Sequence, residues 1–453
     1  MGNLLVSIIS SANAMRAFER GVTVVQSNVA NASTPGYAKQ IQTFHANAFQ
    51  LDQGLPGGVT AGEVLSTRNA YAEDNVRRQM SAWGYADQKR ASLSQIEPAF
   101  DIQPGAGVPG ALTALFQSFS QLAVSPNNTA ARRVVLDRAQ ELAVAFQRNA
   151  TELGRAMAAT DREINAQVEK INHLIDRLAQ FNIERRSSFE TAKDAGLDAE
   201  LHASLEELSE FANLTILHQD DGTVSVLLGG QTPIVIGERG FKISADISSG
   251  SAKIRNAQGD DITAQITSGR LGALLELRNT RLPAYTADLN QLAQSVANRV
   301  NTILAGGLDL NGNPPTQNLF SYNAALGAAA TLQVNNLTPS ELAAALPTAP
   351  GGNGNALQLA ALASSPEISG FTFVEFYGNL AGRVGADLAS ARSNTDTNAS
   401  LLSQARTLRA QASHVELDEE AAQLIQFQRS YQAVAKLVTV LNDMTDTLVG
   451  LIK

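Results

Sequence analysis

The sequence predicts a mainly α-helical protein with a small inserted β domain, built on a long helical bundle or coiled-coil core with paired N- and C-terminal helices. Three observations indicate this fold class. Apolar residues recur at alternating steps of three and four at both ends of the chain. The helical period also runs through residues 129–183, and β-branched residues with turn signals replace it between 214 and 268.

Composition excludes several classes of protein. The 453 residues carry a net charge of −9, which argues against a nucleic-acid binder, and the absence of cysteine excludes thiol catalysis, disulfides and cysteine-ligated metals. No apolar run reaches the length of a membrane span. The first fifteen residues lack a basic segment, so we expect no cleaved secretory signal.

Each end of the chain carries a narrow apolar seam that needs a partner helix. The N-terminal seam contains Ile8, Met15, Phe18, Val22 and Val25. The C-terminal seam contains Leu424, Phe427, Tyr431, Val434, Val438, Leu441 and Leu448. Such a helix is marginal alone in water, so the seams pack on one globular core, on each other or on neighbouring subunits.

The elements between the seams are predicted from the period of the apolar residues and from the positions of glycine and proline. Residues 41–69 read as extended or irregular because they are rich in glycine. Helices are predicted at 70–97, 111–123, 129–183 and 197–212. The third of these, at 1.5 Å per residue, is a rod of roughly 80 Å, which indicates a bundle or coiled coil.

Residues 214–268 are predicted to form a β-rich outer domain. Asp221-Gly222 separates two β-branched runs and is a hairpin signal. Because these strands interrupt a helical chain, we expect a module whose ends lie close together and which a short linker could replace.

The remaining chain returns to helix. A helix over 269–306 is expected to kink or break at Pro283. Residues 309–370 form an irregular low-charge segment, in which a capping box beginning at Thr338 predicts a short helix over 339–346. A final helical region, 372–452, is expected to break near His414 because the seams on either side do not share a register.

No constellation of residues supports catalysis or a cofactor. Residues 105–110 match GxGxxG, but no strand precedes them and no carboxylate follows at the ribose-binding distance. Asp309 opens a calcium-like loop that lacks the required glycine and glutamate. Glu419 and Glu420 are neighbours on a helix, so we interpret them as solvated or first-turn acids. We therefore predict no enzyme activity, no cofactor and no metal.

Residues 28–40, NVANASTPGYAKQ, resemble the N-terminal signature of the bacterial flagellar rod, hook and hook-associated axial proteins. The matching residues are Asn28, Ala30, Asn31, Thr34, Pro35, Gly36 and Tyr37. Ala38 and Lys39 stand where Ser-Arg often follows. The physical interpretation agrees, since Pro35-Gly36 ends a helix and turns the chain.

Residues 417–436, LDEEAAQLIQFQRSYQAVAK, resemble the C-terminal signature of the hook-associated members of that family. The matching residues are Leu417, Asp418, Glu419, Glu420, Ala421, Ala422, Leu424, Gln428, Tyr431 and Gln432. Residues 268–285 are similar to the mid-chain helix of the same proteins. Both terminal motifs in one chain and in order make the resemblance specific.

The resemblance implies a structural protein of the extracellular flagellum at the junction of hook and filament. It implies a homo-oligomeric ring or helical tube, with hook protein, hook-associated protein 3 and an export chaperone at the C-terminal helix as partners. It also implies export through the flagellar type III channel without a cleaved signal. Nucleic acid and membrane insertion are not expected. Two alternatives remain: another axial protein of the hook or distal rod, or a secreted enzyme or adhesin with coiled-coil ends.

The domain organisation follows from these elements. Residues 1–45 and 415–453 are assigned to a terminal coiled-coil domain that forms an inner tube. Residues 46–213, 269–308 and 371–414 are assigned to a surrounding helical bundle. Since ordering costs about 1–2 kcal/mol per residue and each seam is narrow, we expect the terminal domain to be largely disordered in the free subunit and to fold on assembly.

Overall fold

The structure is a computed structural model that describes residues 2–50, 55–100, 103, 105–187, 194–219, 221–248 and 250–450. It is 67% helical, which confirms the predicted fold class. Among the described residues, no helix combines the length and the apolar character that crossing a membrane requires.

Eleven α-helices are described, and their bounds follow the sequence predictions closely at the long helices. They are α1 (Gly2–Asn31), α2 (Ala70–Ile96), α3 (Gly107–Val124), α4 (Thr129–Ser187), α5 (Ala195–Phe211), α6 (Gly269–Glu276), α7 (Leu282–Ala305), α8 (Ala328–Thr331), α9 (Gly354–Ala361), α10 (Phe373–Ser413) and α11 (Leu417–Gly450). The break between α10 and α11 lies at the predicted position beside His414, and α4 confirms the predicted rod.

The described strands are short and form small antiparallel sheets. They are β1 (Gln40–Ala46), β2 (Phe49–Gln50), β3 (Leu55–Pro56), β4 (Val59–Ser66), β5 (Leu214–His218), β6 (Val224–Leu228), β7 (Thr232–Ile236), β8 (Arg239–Gly240), β9 (Ser244–Asp246), β10 (Lys253–Arg255), β11 (Phe320–Ser321) and β12 (Gln333–Val334). β1 pairs with β4, and β5 to β8 form one meander in chain order. The hairpin predicted at Asp221-Gly222 is confirmed, with His218 opposite Val224.

The chain divides into two compact units. We call residues 1–82, 172–241 and 399–453 the terminal unit, and residues 83–171 and 242–398 the central unit. Helices α2, α4 and α10 contribute residues to both.

Within the terminal unit, the β5–β8 meander contacts α4 through Asn182 and α5 through the stacked rings of His218 and His202. Val224, Val226 and Val235 are fully buried. Asn182 of α4 is also fully buried, and its amide satisfies the sheet's backbone: Nδ2 donates to the Val224 and Gly237 carbonyls at 2.8 and 2.6 Å, and Oδ1 accepts from Val224 N at 2.9 Å. A buried polar group is tolerated only when it is bonded in this way.

The central unit contains one continuous apolar core, to which α2, α3, α4, α7, α9 and α10 all contribute. Arg132 of α4 binds the low-charge segment, residues 309–370. Its side chain is 1% exposed and donates to the carbonyl oxygens of Pro126, Pro339 and Leu342. One buried guanidinium therefore meets carbonyl groups of a segment that carries no lysine or arginine of its own.

The helix predicted over 339–346 is wrong. The capping box at Thr338 forms, but it opens only a single 3₁₀ turn, Pro339–Glu341. Leu342 and the alanines after it are buried, and Ala345 pairs with Leu308 in an antiparallel bridge. Tertiary pairing of the extended backbone overrides the local helix signal here.

The helix does not break at Pro283, but its type changes just before that residue. Leu277–Arg281 is a π-helical turn between α6 and α7, and the helical backbone continues through it. A proline cannot donate to the carbonyl four residues earlier, and the turn that precedes this one is the wider π-helical turn.

The residues of the predicted β-rich outer domain, 214–268, are divided between the two units. β5–β8 belong to the terminal unit, whereas the β9–β10 hairpin belongs to the central unit. The pattern of β-branched residues cannot distinguish these two pieces, because their separation depends on which helices each piece packs against. Removing the whole segment would delete the buried valines of β6 and β7 and leave the buried amide of Asn182 on α4 without its backbone partners.

Candidate functional site: the terminal-helix pair

The two terminal helices pack against each other in antiparallel orientation within the terminal unit. Asn28 of α1 contacts Glu420 at the beginning of α11. About two turns from this contact along both helices, Gly21 lies against Phe427. Ser7 and Leu441 line the same groove near the opposite end of the pair. The pair therefore has a base near Asn28 and tips near Ser7 and Leu441.

Small side chains line the buried face of α1. These residues are Ser11, Ala14, Ala17, Gly21 and Val25, followed by Asn28. A Cβ at Gly21 would lie 3.1 Å from the Phe427 ring, so glycine allows this close approach. The period is helical as predicted, but the buried stripe is turned by about one residue from the predicted seam.

The predicted seam residues of α1 are placed beside that stripe. Val25 is buried, and Ile8, Met15, Phe18 and Val22 are half-buried. On α11 the half-buried residues are Leu424, Phe427, Val434, Val438 and Leu441. Tyr431 and Leu448 are exposed, so the described chain does not cover two members of the predicted seam.

An aromatic group joins the pair to the β1–β4 hairpin. The ring of Phe44 on β1 lies 6.0 Å from that of Phe18 and 5.6 Å from that of Phe427. Phe44 is not among the predicted seam residues because it lies in a strand outside both seams. Alternation along β1 was the available signal, since Gln42 and Phe44 share one face of the strand.

At the base, Asn28 makes four hydrogen bonds. Nδ2 donates to Gln40 O and to Glu420 Oε2, both at 2.9 Å. Oδ1 accepts from the Tyr37 hydroxyl at 3.0 Å and from Gln40 N at 2.9 Å. The side chain is 1% exposed, and every donor and acceptor of its amide is used.

Glu420 corrects the sequence interpretation of the two glutamates. It lies in the first turn of α11 but is fully buried, with Oε1 3.0 Å from Lys39 Nζ. Glu419 is exposed and pairs with the same lysine at 2.7 Å. Burial alone would lower the pKa of Lys39, but the two carboxylates outweigh it and raise that pKa. We call Asn28, Tyr37, Lys39, Gln40 and Glu420 the Asn28 cluster.

The rest of the N-terminal motif forms the turn after α1. Asn31 O accepts from Thr34 N at 2.9 Å, and Thr34 O accepts from Tyr37 N at 3.1 Å. Gly36 has a φ of 78°, and a Cβ there would lie well inside 3.0 Å of the Ala199 carbonyl of α5. Ala30 and Pro35 are exposed. The glycine is therefore required twice, by its backbone conformation and by its contact with α5.

The remaining residues of the C-terminal signature face outward. Leu417, Asp418, Ala421, Ala422, Gln428 and Gln432 are exposed. In the part of the chain that the structure describes, no three His, Asp or Glu side chains come together in a way that could hold a metal ion.

Family models match two parts of the chain. The model described as "Flagellar hook-associated protein FlgK helical domain" matches residues 93–320, slightly more than half of the sequence. The model described as "Flagellar basal body rod FlgEFG protein C-terminal" matches residues 409–451, which contain the C-terminal signature.

Individual proteins agree with these models. Flagellar hook-associated protein 1 of Bacillus subtilis is 24% identical over 99% of both chains, and that of Salmonella typhimurium is 23% identical over 69% of this chain and 58% of its own length. The fold resembles the flagellar hook junction protein FlgK of Burkholderia pseudomallei, with a TM-score of 0.68 at 15% identity, over 74% of this chain and 99% of that one. The chain therefore belongs to the FlgK family of flagellar hook-associated proteins, which are structural axial components of the bacterial flagellum.

Proposed function

We propose that this chain is a structural subunit of the junction between flagellar hook and filament, and that it assembles through its terminal helices. One observation carries the proposal. The two signature segments that the sequence analysis identified at opposite ends of the chain are bonded to each other, through Asn28 and Glu420. The family signatures thus build one helix pair rather than two separate features.

The helix pair leaves apolar surface uncovered in the single chain. Leu5 and Ile9 of α1 are 57% and 59% exposed, and Val440 of α11 is 53% exposed. Leu437, Val440, Met444 and Leu448 recur at steps of three and four, so they share one face of α11. Burying a large apolar side chain stabilises by about 1.5–3 kcal/mol, so a neighbouring copy of the pair would gain from covering this face.

These features support a homo-oligomeric ring or tube in which residues 1–45 and 415–453 form the inner layer. Residues 46–213, 269–308 and 371–414 would surround that layer as the helical bundle. Adjacent partners would be hook protein on one side and hook-associated protein 3 on the other. An export chaperone would bind the C-terminal helix, and the subunit would leave the cell through the flagellar type III channel without a cleaved signal. The role is mechanical, with no catalytic step.

A labelling experiment tests the location. A specific label on this protein in purified flagella should appear as a band at the boundary of hook and filament. A label along the whole hook or in the rod would instead support another axial role, and a label away from the flagellum would reject the proposal.

A pair of variants tests the assembly mechanism. Val438→Asp places a charge on the half-buried face of α11, and Asn442→Asp places the same charge at an exposed position one turn away. Val438→Asp should leave export and the thermal stability of the subunit unchanged but prevent incorporation into flagella. Asn442→Asp should incorporate normally. Equal incorporation of both variants would show that this face is not used.

A further inference from the structure

The base of the terminal-helix pair is held by a chain of ionic contacts that lies outside both helices. In order, its members are Asp198, Arg68, Glu73, Arg409, Glu206 and Arg406. We call them the ionic chain. Its members come from α2, α5, α10 and the segment between β4 and α2, so it ties together four parts of the terminal unit.

Arg68 is the member that reaches the N-terminal motif. Its guanidinium binds Asp198 Oδ2 through Nε and Nη2 at 3.0 and 2.7 Å, and Glu73 Oε1 through Nη1 at 2.6 Å. Nη2 also donates to the carbonyl oxygen of Gly36 at 2.7 Å. A guanidinium spreads five donors over three nitrogens of a planar fork and so reaches two carboxylates and a carbonyl, whereas a lysine presents all its donors from a single nitrogen.

Hydrogen bonds connect Thr67, the residue before Arg68, with Lys39, and Lys39 with the end of α10. Thr67 donates through N and Oγ1 to the Lys39 carbonyl, at 2.9 and 3.0 Å. Lys39 N donates to the Ser413 carbonyl at the end of α10, at 2.9 Å. Lys39 therefore lies where the exit of α1, the end of the β1–β4 hairpin and the entry to α11 meet.

Burial along α11 declines from this base toward its tip, since Glu420 is the one buried residue described on that helix. Glu420 and Asn28 are 0% and 1% exposed, and on α1 the buried stripe continues through Val25 and Ala17, at 2% and 1%, to Ser11, at 7%. At the tips, the exposed apolar residues include Leu5, Ile9 and Val449. Buried polar side chains make the contacts at the base, whereas the tips expose large apolar side chains, as do Val29 and Ile425 nearer the base.

We propose that the Asn28 cluster is a preformed folding nucleus of the free subunit, positioned by Arg68, from which the terminal helices lengthen during assembly. Residues 25–40 and 413–424 are ordered before assembly, and residues 4–18 and 434–450 become ordered with it. The disordered region is thus narrower than the sequence predicts. The inference rests on the proposed function because assembly is what completes the helices.

Hydrogen exchange on the free full-length subunit tests the order of folding. Amides in 25–31 and 419–424 should exchange at least about tenfold more slowly than amides in 5–12 and 438–448. Exchange at the base as fast as at the tips would overturn the proposal. That outcome leaves the proposed function standing, because the label in purified flagella reports location independently.

Variants of Arg68 test its positioning role. Arg68→Ala should accelerate exchange at 31–40 and 413–424 by about tenfold while leaving α3 of the central unit unchanged. Arg68→Lys should give an intermediate acceleration, since one ammonium cannot satisfy all three partners. The matched control is Arg78→Ala on α2, because Arg78 is exposed and pairs only at 3.4 Å with Asp74. The control should have no effect.

The outcomes separate positioning from a general loss of fold. If Arg68→Ala accelerates exchange in α3 as well, the subunit has unfolded. The Arg68→Lys subunit is then the one to compare with the unmodified protein. An Arg68→Lys subunit with base exchange equal to that of the unmodified protein would reject the role of Arg68. So would protection of the base that persists in a folded Arg68→Ala subunit.

Discussion

Replacing Asn28 by aspartate tests the central contact of the terminal-helix pair with almost no change of shape. The variant keeps the two hydrogen bonds that Oδ1 accepts from Tyr37 and Gln40. It converts the two bonds donated by Nδ2 into contacts between oxygen atoms, one with the Gln40 carbonyl and one with the Glu420 carboxylate, each at about 2.9 Å.

The structure sets the magnitude of the effect. A buried hydrogen bond to a charged group contributes roughly 1.5–3 kcal/mol, and leaving its acceptor unsatisfied costs about 1–3 kcal/mol more. Asn28 and Glu420 are at most 1% exposed, so water does not reduce these values. We therefore expect Asn28→Asp to lower the local free energy of unfolding at the base by about 3–5 kcal/mol, as when a buried ionic contact is broken.

A double-mutant cycle with Glu420→Gln separates this contact from other effects. Glu420→Gln supplies an amide that can donate to an aspartate at position 28, so the double variant should recover at least about 1 kcal/mol relative to the sum of the single variants. Asn31→Asp is the control, because Asn31 donates only to the Ser27 carbonyl of its own helix. Exchange rates of amides in 25–31 and swarming in soft agar provide the two measurements.

Both measurements should rank the variants in the same order. Asn31→Asp should resemble the unmodified protein, Asn28→Asp should lose protection and motility, and the double variant should lie between them. If Asn28→Asp and Asn31→Asp give the same exchange rates and the same swarming, the contact between Asn28 and Glu420 does not hold the pair together, and the reasoning fails.

Three further predictions concern the packing of the terminal unit. In urea denaturation, Gly36→Ala should destabilise the protein by more than the roughly 1–2 kcal/mol that a positive φ costs, because the added Cβ also meets α5. Gly312→Ala is the control: its φ is 82° and the space around it is open, so it should show the backbone cost alone. Asn182→Ala should lose about 2–4 kcal/mol in the same assay by leaving sheet backbone unsatisfied. Burial alone would raise the pKa of Glu206, but its pairing with Arg409 lowers that pKa in the folded protein. The contact therefore stabilises the fold at pH values above the pKa of Glu206 in the unfolded chain, and this contribution is lost as the pH falls through the lower pKa of the folded state. Thermal melts between pH 7 and pH 3 should therefore fall more steeply for the unmodified protein than for Glu206→Gln; parallel curves would reject this.

The long helices and their limits could be predicted from the sequence because their causes are local. The period of apolar residues set α4, and the change of register beside His414 indicated the break between α10 and α11. The motif at 28–37 indicated a helix followed by a turn for the same reason. The capping box at Thr338 shows the limit of this reasoning: it forms, yet the helix does not continue, because buried alanines pair with Leu308.

The partners of the signature residues could not be predicted. Asn28 and Glu420 are 392 positions apart, and no local rule connects an amide in one helix with a carboxylate in another. Burial of Glu420 even contradicts the local expectation for a first-turn acid, which is solvation. Lys39 compensates the charge of Glu420, and Arg68 compensates those of Glu73 and Asp198. Both cations lie outside the two helical seams.

By itself, the sequence determined that this protein is mainly helical and that its two ends are amphipathic helices, since those properties depend on neighbours within a few residues. Only the tertiary structure decided which face of α1 is buried. A pattern of large apolar residues selects Ile8 and Met15, but Ala17 is buried instead, and α1 approaches Phe427 where Gly21 leaves room. Close packing between two helices depends on the shape of both surfaces, and one helix's sequence records only its own.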